Sequence, residues 1–254
     1  MRLFILTTVL FLSLKANAQH TEKIETDRPD QTETPYLVPK KYFQAEIGFN
    51  IQKYQFDYSQ VVHPTSVLKY GLTNRFELRL ESNFITQYLH YIPETITNTV
   101  LAPVELGTKV RLFEEKGLLP KTSIIAHIGL PFLASKQFHS APATYTARVS
   151  MQNSLSDNVA LGYNVGVEGG GGEPTAVFYT FAPGFNIGEK WYTYVEAFGS
   201  FADGGAEHNL DGGIAYFTSK NTQIDLSAGF GLGESSLKHY VALGFSFRLP
   251  TGKH

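Results

Sequence analysis

Short segments in which apolar and polar residues alternate recur along the chain from residue 41 to residue 249. In the segment FELRLESNF, residues 76–84, phenylalanines and leucines on one face alternate with two glutamates, an arginine and an asparagine on the other. Because successive side chains of a β-strand point to opposite faces, such a strand has one apolar face and one polar face. The pattern therefore predicts an all-β protein.

Twelve segments carry this pattern, and the links between them alternate in length. The predicted strands are 41–56, 61–70, 75–85, 104–113, 121–130, 144–155, 159–168, 176–187, 191–201, 209–219, 222–231 and 239–249. Short polar turns alternate with longer or glycine-rich links, of which 86–103 is the longest. An outer-membrane barrel has short periplasmic turns, longer external loops and both termini on the periplasmic side. The sequence predicts a transmembrane antiparallel up-and-down β-barrel of about 12 strands.

Charged residues of the predicted strands lie almost entirely on the face opposite the aliphatic side chains. An ionised side chain on the lipid face at mid-membrane would cost roughly 2–4 kcal/mol, so the charged face is expected to line the lumen. The predicted lumenal residues, which are candidates for solute selectivity, are Glu46, Glu77, Arg79, Glu81, Glu105, Lys109, Arg111, Arg148, Glu168, Glu196, Asp225 and Arg248.

Aromatic residues near the strand ends are expected in the interface girdles of an outer-membrane barrel. The candidates are Tyr54, Phe56, Tyr58, Phe113, Trp191, Tyr192 and Phe201. A soluble β-sandwich would show the same alternation along each strand. The simple hairpin order, the alternating link lengths and the aromatic strand ends favour the barrel.

The first eighteen residues have the features of a secretory signal peptide. Arg2 precedes an apolar run at 3–14, and Ala16-Asn17-Ala18 is a cleavage sequence. That run is too short to cross the bilayer core as a helix. We therefore expect a signal peptide at 1–18, a polar pre-barrel segment at 19–40 and an outer-membrane barrel at 41–254, in a Gram-negative bacterium.

Composition narrows the function classes. The chain has no cysteine, which excludes a cysteine-linked lipid anchor, disulfides and thiol catalysis. Removal of Arg2 and Lys15 with the signal peptide leaves a formal charge near −4, too mild to indicate a nucleic-acid partner. The expected partners are outer-membrane lipid and a small-molecule solute. No cofactor is predicted, and the sequence leaves the oligomeric state open.

The pre-barrel segment adds a family resemblance. The stretch 26–49, TDRPDQTETPYLVPKKYFQAEIGF, resembles the opening of the bacterial family called putative MetA-pathway of phenol degradation. The motif residues are Asp27, Arg28, Pro29, Thr32 and Pro35, whereas Asp30 and Lys41 stand where the family usually has glycine. The resemblance implies an outer-membrane barrel that transports small compounds, with aromatic or hydrophobic ones as candidates.

Two hypotheses remain open for each charged feature. The lumenal charges can pair with one another and fill a narrow barrel, or they can line a wet channel and tune its selectivity. The segment around Asp27-Arg28-Pro29 can fold into the lumen as a plug that pairs with wall charges, or it can be a loose periplasmic tail.

The favoured function is passive passage of small molecules. The alternative is a non-conducting barrel whose external loops, above all 86–103, bind a partner or ligand, and an outer-membrane enzyme is a distant third. No catalytic residue is predicted, since the adjacent His139 and Ser140 do not make a triad. No metal site is predicted either, because the acidic stretch 203–211 matches no EF-hand spacing.

Overall fold

Strands make up almost all of the structure. The computed structural model describes residues 23–91 and 93–252, so the predicted signal peptide and residues 19–22 lie outside the described residues. Its strands are β1 (Tyr42–Tyr54), β2 (Tyr58–Thr73), β3 (Phe76–His90), β4 (Thr95–Leu101), β5 (Val104–Phe113), β6 (Lys121–Leu130), β7 (Thr144–Ser156), β8 (Val159–Gly170), β9 (Glu173–Ile187), β10 (Trp191–Ala202), β11 (Gly205–Ser219), β12 (Thr222–Leu232) and β13 (Leu237–Pro250).

Two single-turn 3-10 helices, Pro131–Leu133 and Lys136–Phe138, lie between β6 and β7. Among the described residues, no helix has the length and apolar character needed to span a membrane.

Every strand pairs antiparallel with its neighbours, and the sheet closes on itself because β1 pairs with both β2 and β13. The external half of β3 pairs with β4 and its periplasmic half pairs with β5. The two short strands therefore occupy one position in the wall, interrupted at residues 102–103. The result is a closed antiparallel barrel of twelve strand positions, which confirms the predicted fold.

The link lengths differ from the prediction. Several strands extend beyond their predicted ends, so β8 and β9 are joined through residues 171–172 and β10 and β11 through 203–204. The prediction of a loop at 86–103 is wrong, because most of these residues form the end of β3 and the whole of β4. Only the 131–143 link remains long among the predicted external loops that the structure describes. The external ends of the strands extend beyond the bilayer, where neither face has to be apolar. Their sequences therefore lack the apolar–polar alternation by which strands were predicted.

The two faces of the wall differ as the parity analysis predicts. Large aliphatic and aromatic side chains on the outside are exposed, such as Ile47, Leu78, Val195 and Leu243. Their neighbours of opposite parity point inward and are buried, including Glu46 at 1% exposure. The outer surface is thus an apolar band for lipid, and the polar core of the molecule is the lumen.

Three of the predicted girdle residues face the lumen instead. The Tyr54 hydroxyl donates to Gln52 at 2.7 Å and the Tyr58 hydroxyl donates to Gln60 at 2.9 Å, both at the external mouth. Tyr192 lines a lumenal cavity near the periplasmic end. Aromatic type at a strand end does not distinguish inside from outside, whereas strand parity does. Phe113, Trp191 and Phe201 are exposed at strand ends, and Phe56 is exposed in the β1–β2 turn.

Candidate functional site

The segment 23–40 runs through the barrel lumen and contacts the wall on opposite sides. Its prolines and alternating charges give it no helix or strand pattern, and its backbone groups bond instead to inward-facing side chains of the wall. Val38 N–H donates to Glu77 at 2.7 Å, Glu33 N–H donates to Asn164 at 2.8 Å, and Ser123 donates to the carbonyl of Pro35 at 2.7 Å. The wall thereby satisfies polar groups that would otherwise be costly to enclose.

Three cations from adjacent strands converge on the carboxylate of Asp27. Arg79 Nη1 on β3 and Lys109 Nζ on β5 each lie 3.0 Å from it, and Lys69 Nζ on β2 also contacts it. Glu46 on β1 contacts Lys69 and accepts a hydrogen bond of 3.0 Å from the Asp27 N–H. All five side chains are buried. Because charge-assisted bonds inside a protein are short and strong, this cluster fixes one end of the segment against β1, β2, β3 and β5.

The carboxylates of the segment have pKa values that differ with their surroundings. Burial would raise the pKa of Asp27, but Lys109, Lys69 and Arg79 hold it well below its usual range. Asp30 has the opposite environment: burial and the nearby Glu196 carboxylate raise its pKa well above the usual value. The segment therefore carries one firmly ionised carboxylate, Asp27, and, three residues later, a carboxyl group that tends to hold a proton, Asp30.

The segment also bonds to the opposite wall. Arg28 Nη2 lies 2.9 Å from Asp225 Oδ1 on β12, and the Tyr194 hydroxyl on β10 donates to the Pro29 carbonyl at 3.2 Å. Thr32 donates to Glu196 at 2.6 Å. These contacts span the lumen, so the segment is held from both sides.

Two glycines make room for the Arg28 side chain. Gly48 on β1 and Gly244 on β13 are directly paired, and both lie under the guanidinium group. A Cβ at either position would overlap Arg28 atoms. The absence of side chains at this pair allows Arg28 to cross the wall surface and reach Asp225.

The segment separates two cavities. One of about 370 Å³ lies toward the short periplasmic turns and is lined in part by Glu25, Tyr36 and Tyr192. The other, of about 400 Å³, lies toward the external mouth and is lined in part by Gln52 and Glu81. Arg28 and Asp30 line both cavities. The segment therefore lies between two cavities of the lumen, one toward each end of the barrel.

Comparison with known families identifies the chain. The family described as "Putative MetA-pathway of phenol degradation" matches residues 26–249. The chain belongs to this family. The match confirms the resemblance seen in the pre-barrel motif and extends it along the barrel. No curated protein matches the chain.

Solved structures share the fold at low sequence identity. An outer membrane channel from Pseudomonas putida F1 is 11% identical with a TM-score of 0.65, over 89% of this chain and 100% of that one. The NanC porin is 9% identical with a TM-score of 0.54, over 82% and 100% of the two chains. The β domain of the Bordetella autotransporter BrkA is 11% identical with a TM-score of 0.55, over 82% and 99%. These similarities show that the chain shares the barrel fold of these three proteins.

Each residue of the pre-barrel motif contacts the lumenal wall. Asp27 binds the three cations, Arg28 pairs with Asp225, and the Pro29 carbonyl, Thr32 and the Pro35 carbonyl accept or donate hydrogen bonds. The motif thus supplies several of the contacts by which the wall holds the segment, in addition to those of Glu33 and Val38.

The structure brings most of the predicted lumenal residues together around the segment. Those within contact of it are Glu46, Glu77, Arg79, Lys109, Arg148, Glu196 and Asp225. Glu81 and Glu105 lie with His127 on the adjoining part of the wall, where Arg79 contacts Glu81. Arg111 pairs with Glu114 at 2.8 Å, and Arg248 donates to Asn221 at 3.0 Å, both at the periplasmic end. Glu168 is exposed near the external end of β8.

Several site residues were not predicted. Lys69 has the parity of a lumenal residue, so the alternation could have revealed it. Asp30 and Glu33 lie in the segment, where no periodicity exists to place them. Asp211 and His208 belong to the acidic stretch 203–211, and both lie on β11. Asp211 faces inward and accepts a hydrogen bond from Tyr240, whereas His208 contacts Tyr179 at 2.9 Å.

Proposed function

We propose that the protein is a passive outer-membrane channel for small solutes in which the segment 23–40 forms the constriction. The observation that carries this proposal is the pair of cavities, one toward each end of the barrel, that meet the segment at Arg28 and Asp30. A closed barrel with a polar lumen and an apolar outside provides the path, and the segment determines how much of it is open.

The wall cations hold the segment in this arrangement. Arg79 lies 2.8 Å and Arg148 lies 3.7 Å from carboxylate oxygens of Glu33, while Lys109 binds Asp27. Lys69 also contacts Asp27, so four positive side chains neutralise carboxylates of the segment rather than face open water. We propose that the lumenal charges act first as the docking site of the segment, and that they select solutes when the segment is displaced.

The cavity linings favour solutes that combine a polar group with a small ring or chain. The periplasmic cavity presents Tyr36, Tyr192 and Phe217 beside charged and hydroxyl groups. A phenol has an aromatic face for such rings and a hydroxyl for the polar groups. The phenol named in the family description fits this lining.

The alternative, a non-conducting barrel whose external loop binds a partner, has less support. Residues 86–103 were expected to provide the binding loop, but most of them form the β3–β4 hairpin. The remaining long external link, 131–143, bonds to the edge of β4 through Ser135, whose hydroxyl accepts from Leu101 N–H at 2.9 Å. This link covers the wall beside β4 instead of extending away from it.

Liposome swelling tests the proposal. The mature chain is refolded into liposomes, and swelling is followed in neutral sugars, small organic anions and phenolic solutes. A second protein lacks residues 19–38, and heat-modifiable migration verifies that both barrels are folded. We expect slow, solute-dependent swelling with the mature chain and faster swelling with the shortened one. Absence of swelling with the folded shortened barrel would refute the channel, and equal rates would refute the constriction.

A further inference from the structure

We propose that Glu81, Glu105 and His127 form a binding site for a divalent transition-metal cation of the Zn²⁺ type on the lumenal wall. The three side chains come from β3, β5 and β6, which are adjacent in the barrel. One potential ligand atom from each residue lies within 4.8 Å of the others. The site adjoins the Asp27 cluster through Arg79, which contacts both Asp27 and Glu81, and it does not depend on whether the lumen conducts.

The two carboxylates need a cation between them. Glu81 and Glu105 are directly opposite one another in the β3–β5 ladder, where like charges destabilise the pairing. Arg79 lies 3.2 Å from Glu81 and neutralises part of that charge. Among the described residues, no hydrogen bond or ion pair reaches the Glu105 carboxylate.

His127 provides the observation that points to a metal ligand. It is 8% exposed, and its Nε2 atom is buried without a hydrogen-bond partner among the described residues. The same atom lies 3.2 Å from Glu81 Oε1, so it is directed into the carboxylate pair. A neutral imidazole presents a lone pair at such an atom, which is the form that binds metals.

The neighbouring strand is shaped to hold this ring. Gly107 on β5 is directly paired with His127, and a Cβ at Gly107 would overlap the imidazole. The glycine allows the ring to lie flat against the wall, with its nitrogen toward Glu81. The arrangement limits the ring's rotation before any ion binds.

The ligand set favours zinc-like ions over calcium or magnesium. Zinc bonds of about 2.0–2.2 Å in tetrahedral geometry place neighbouring ligand atoms roughly 3.3 Å apart, and zinc binds imidazole nitrogen and carboxylate oxygen in the same site. The distance of 3.2 Å between His127 Nε2 and Glu81 Oε1 fits that spacing, and Glu105 needs only a side-chain adjustment. Calcium and magnesium prefer sites made of oxygen alone.

The site is accessible from the outside of the cell. Glu81 lines the external cavity, so an ion entering through the external mouth reaches the first ligand without passing the segment 23–40. Three protein ligands leave one tetrahedral position for water or for a solute in that cavity.

Titration calorimetry with ZnCl₂ tests the proposal on the mature, tag-free barrel refolded in detergent, with MgCl₂ as the comparison ion. The informative variants are His127→Gln and Glu105→Gln, and the matched controls are His208→Gln on the opposite wall and Glu189→Gln in an exposed turn. We expect one Zn²⁺ site per chain, no Mg²⁺ binding, and at least about tenfold weaker Zn²⁺ binding in the two site variants. The controls should bind as the unchanged protein does.

The proposal is overturned if the unchanged barrel takes up no Zn²⁺, or if it binds Zn²⁺ equally well after the His127 substitution. It is also overturned if the control substitutions weaken binding as much as the site substitutions. Heat-modifiable migration verifies folding, and the Glu105 variant decides the question if the His127 variant fails to fold.

Discussion

Lys69 and Arg79 are directly opposite one another in the β2–β3 ladder, and the carboxylate of Asp27 contacts both side chains. Two buried cations at facing positions repel one another and weaken a strand pair unless an anion separates them. Glu46 and Glu81 of the wall each contact one of the two cations, but the anion that both cations share, Asp27, comes from the segment that crosses the lumen. The stability of this part of the wall and the position of the segment are therefore coupled.

Replacement of Asp27 by asparagine should release the segment. The change leaves three buried cations without their common carboxylate, and loss of one partner of a buried ion pair costs roughly 3–5 kcal/mol. We expect higher single-channel conductance and faster trypsin cleavage after Lys23, with the barrel still heat-modifiable. Asp57→Asn, in the exposed β1–β2 turn, is the matched control and should change neither value. Unchanged conductance in the Asp27 variant would show that the cation cluster does not hold the segment.

Substitution of Gly244 by alanine should displace Arg28 without disturbing the fold. The added Cβ overlaps the guanidinium group of Arg28 and Oδ2 of Asp225, which are both side-chain ends, so the two groups can move away at the expense of the ion pair between them. Conductance is expected to rise, and this rise should vanish when Arg28 is already alanine, because the two changes act on the same contact.

Gly204→Ala is the control for this substitution, since a Cβ at that position meets no atom within 4 Å. Additive effects of the Gly244 and Arg28 substitutions in conductance measurements would indicate that the glycine acts on the wall itself rather than through Arg28.

The barrel was predictable from the sequence because membrane and lumen impose a period of two. Glu77, Arg79 and Lys109 were placed in the lumen by parity alone, and all three are buried there. The external part of the β3–β4 hairpin escaped prediction because Thr95 to Thr99 are exposed beyond the apolar band, where either face can be polar.

The segment's contacts were less predictable. The resemblance identified the motif, but its partners are distant in sequence: Asp27 meets Lys109, and Arg28 meets Asp225. A segment without a repeating pattern carries no signal of its orientation. Acidic residues of the segment pair with wall cations because the closed barrel brings adjacent strands to one side of a narrow lumen. This proximity is a property of the folded barrel and cannot be read from the sequence of the segment.

Arginine in place of Leu243 should destabilise the barrel from the lipid side. Leu243 is 58% exposed on the outer face of β13, where a charged group would have to enter hydrocarbon. The expected loss of unfolding free energy is roughly 2–4 kcal/mol in lipid vesicles, measured by urea titration. Phe56→Arg, in the external turn, is the control and should cost little. Equal stability of the Leu243 variant would contradict the assignment of this face to lipid.

Acidification from about pH 8 to about pH 5 should lower the conductance by tightening the segment. Burial raises the pKa of Glu25 to about 7, and burial together with Glu196 raises the pKa of Asp30 well above its usual value. A carboxyl group whose pKa is raised in the docked state favours docking when protonated. The contribution of such a carboxyl group to docking is complete below the ordinary carboxyl pKa of about 4. It is lost as the pH rises through the raised pKa of the docked state. Asp27 has a lowered pKa, so its ion pairs persist over this range and weaken only in stronger acid.

Single-channel recordings should show this decrease of conductance on acidification in the unchanged protein. The variant Asp30→Asn, which cannot ionise, should show a smaller one and resemble the unchanged protein at low pH. A conductance that rises on acidification in this range would mean that other titrating groups control the segment.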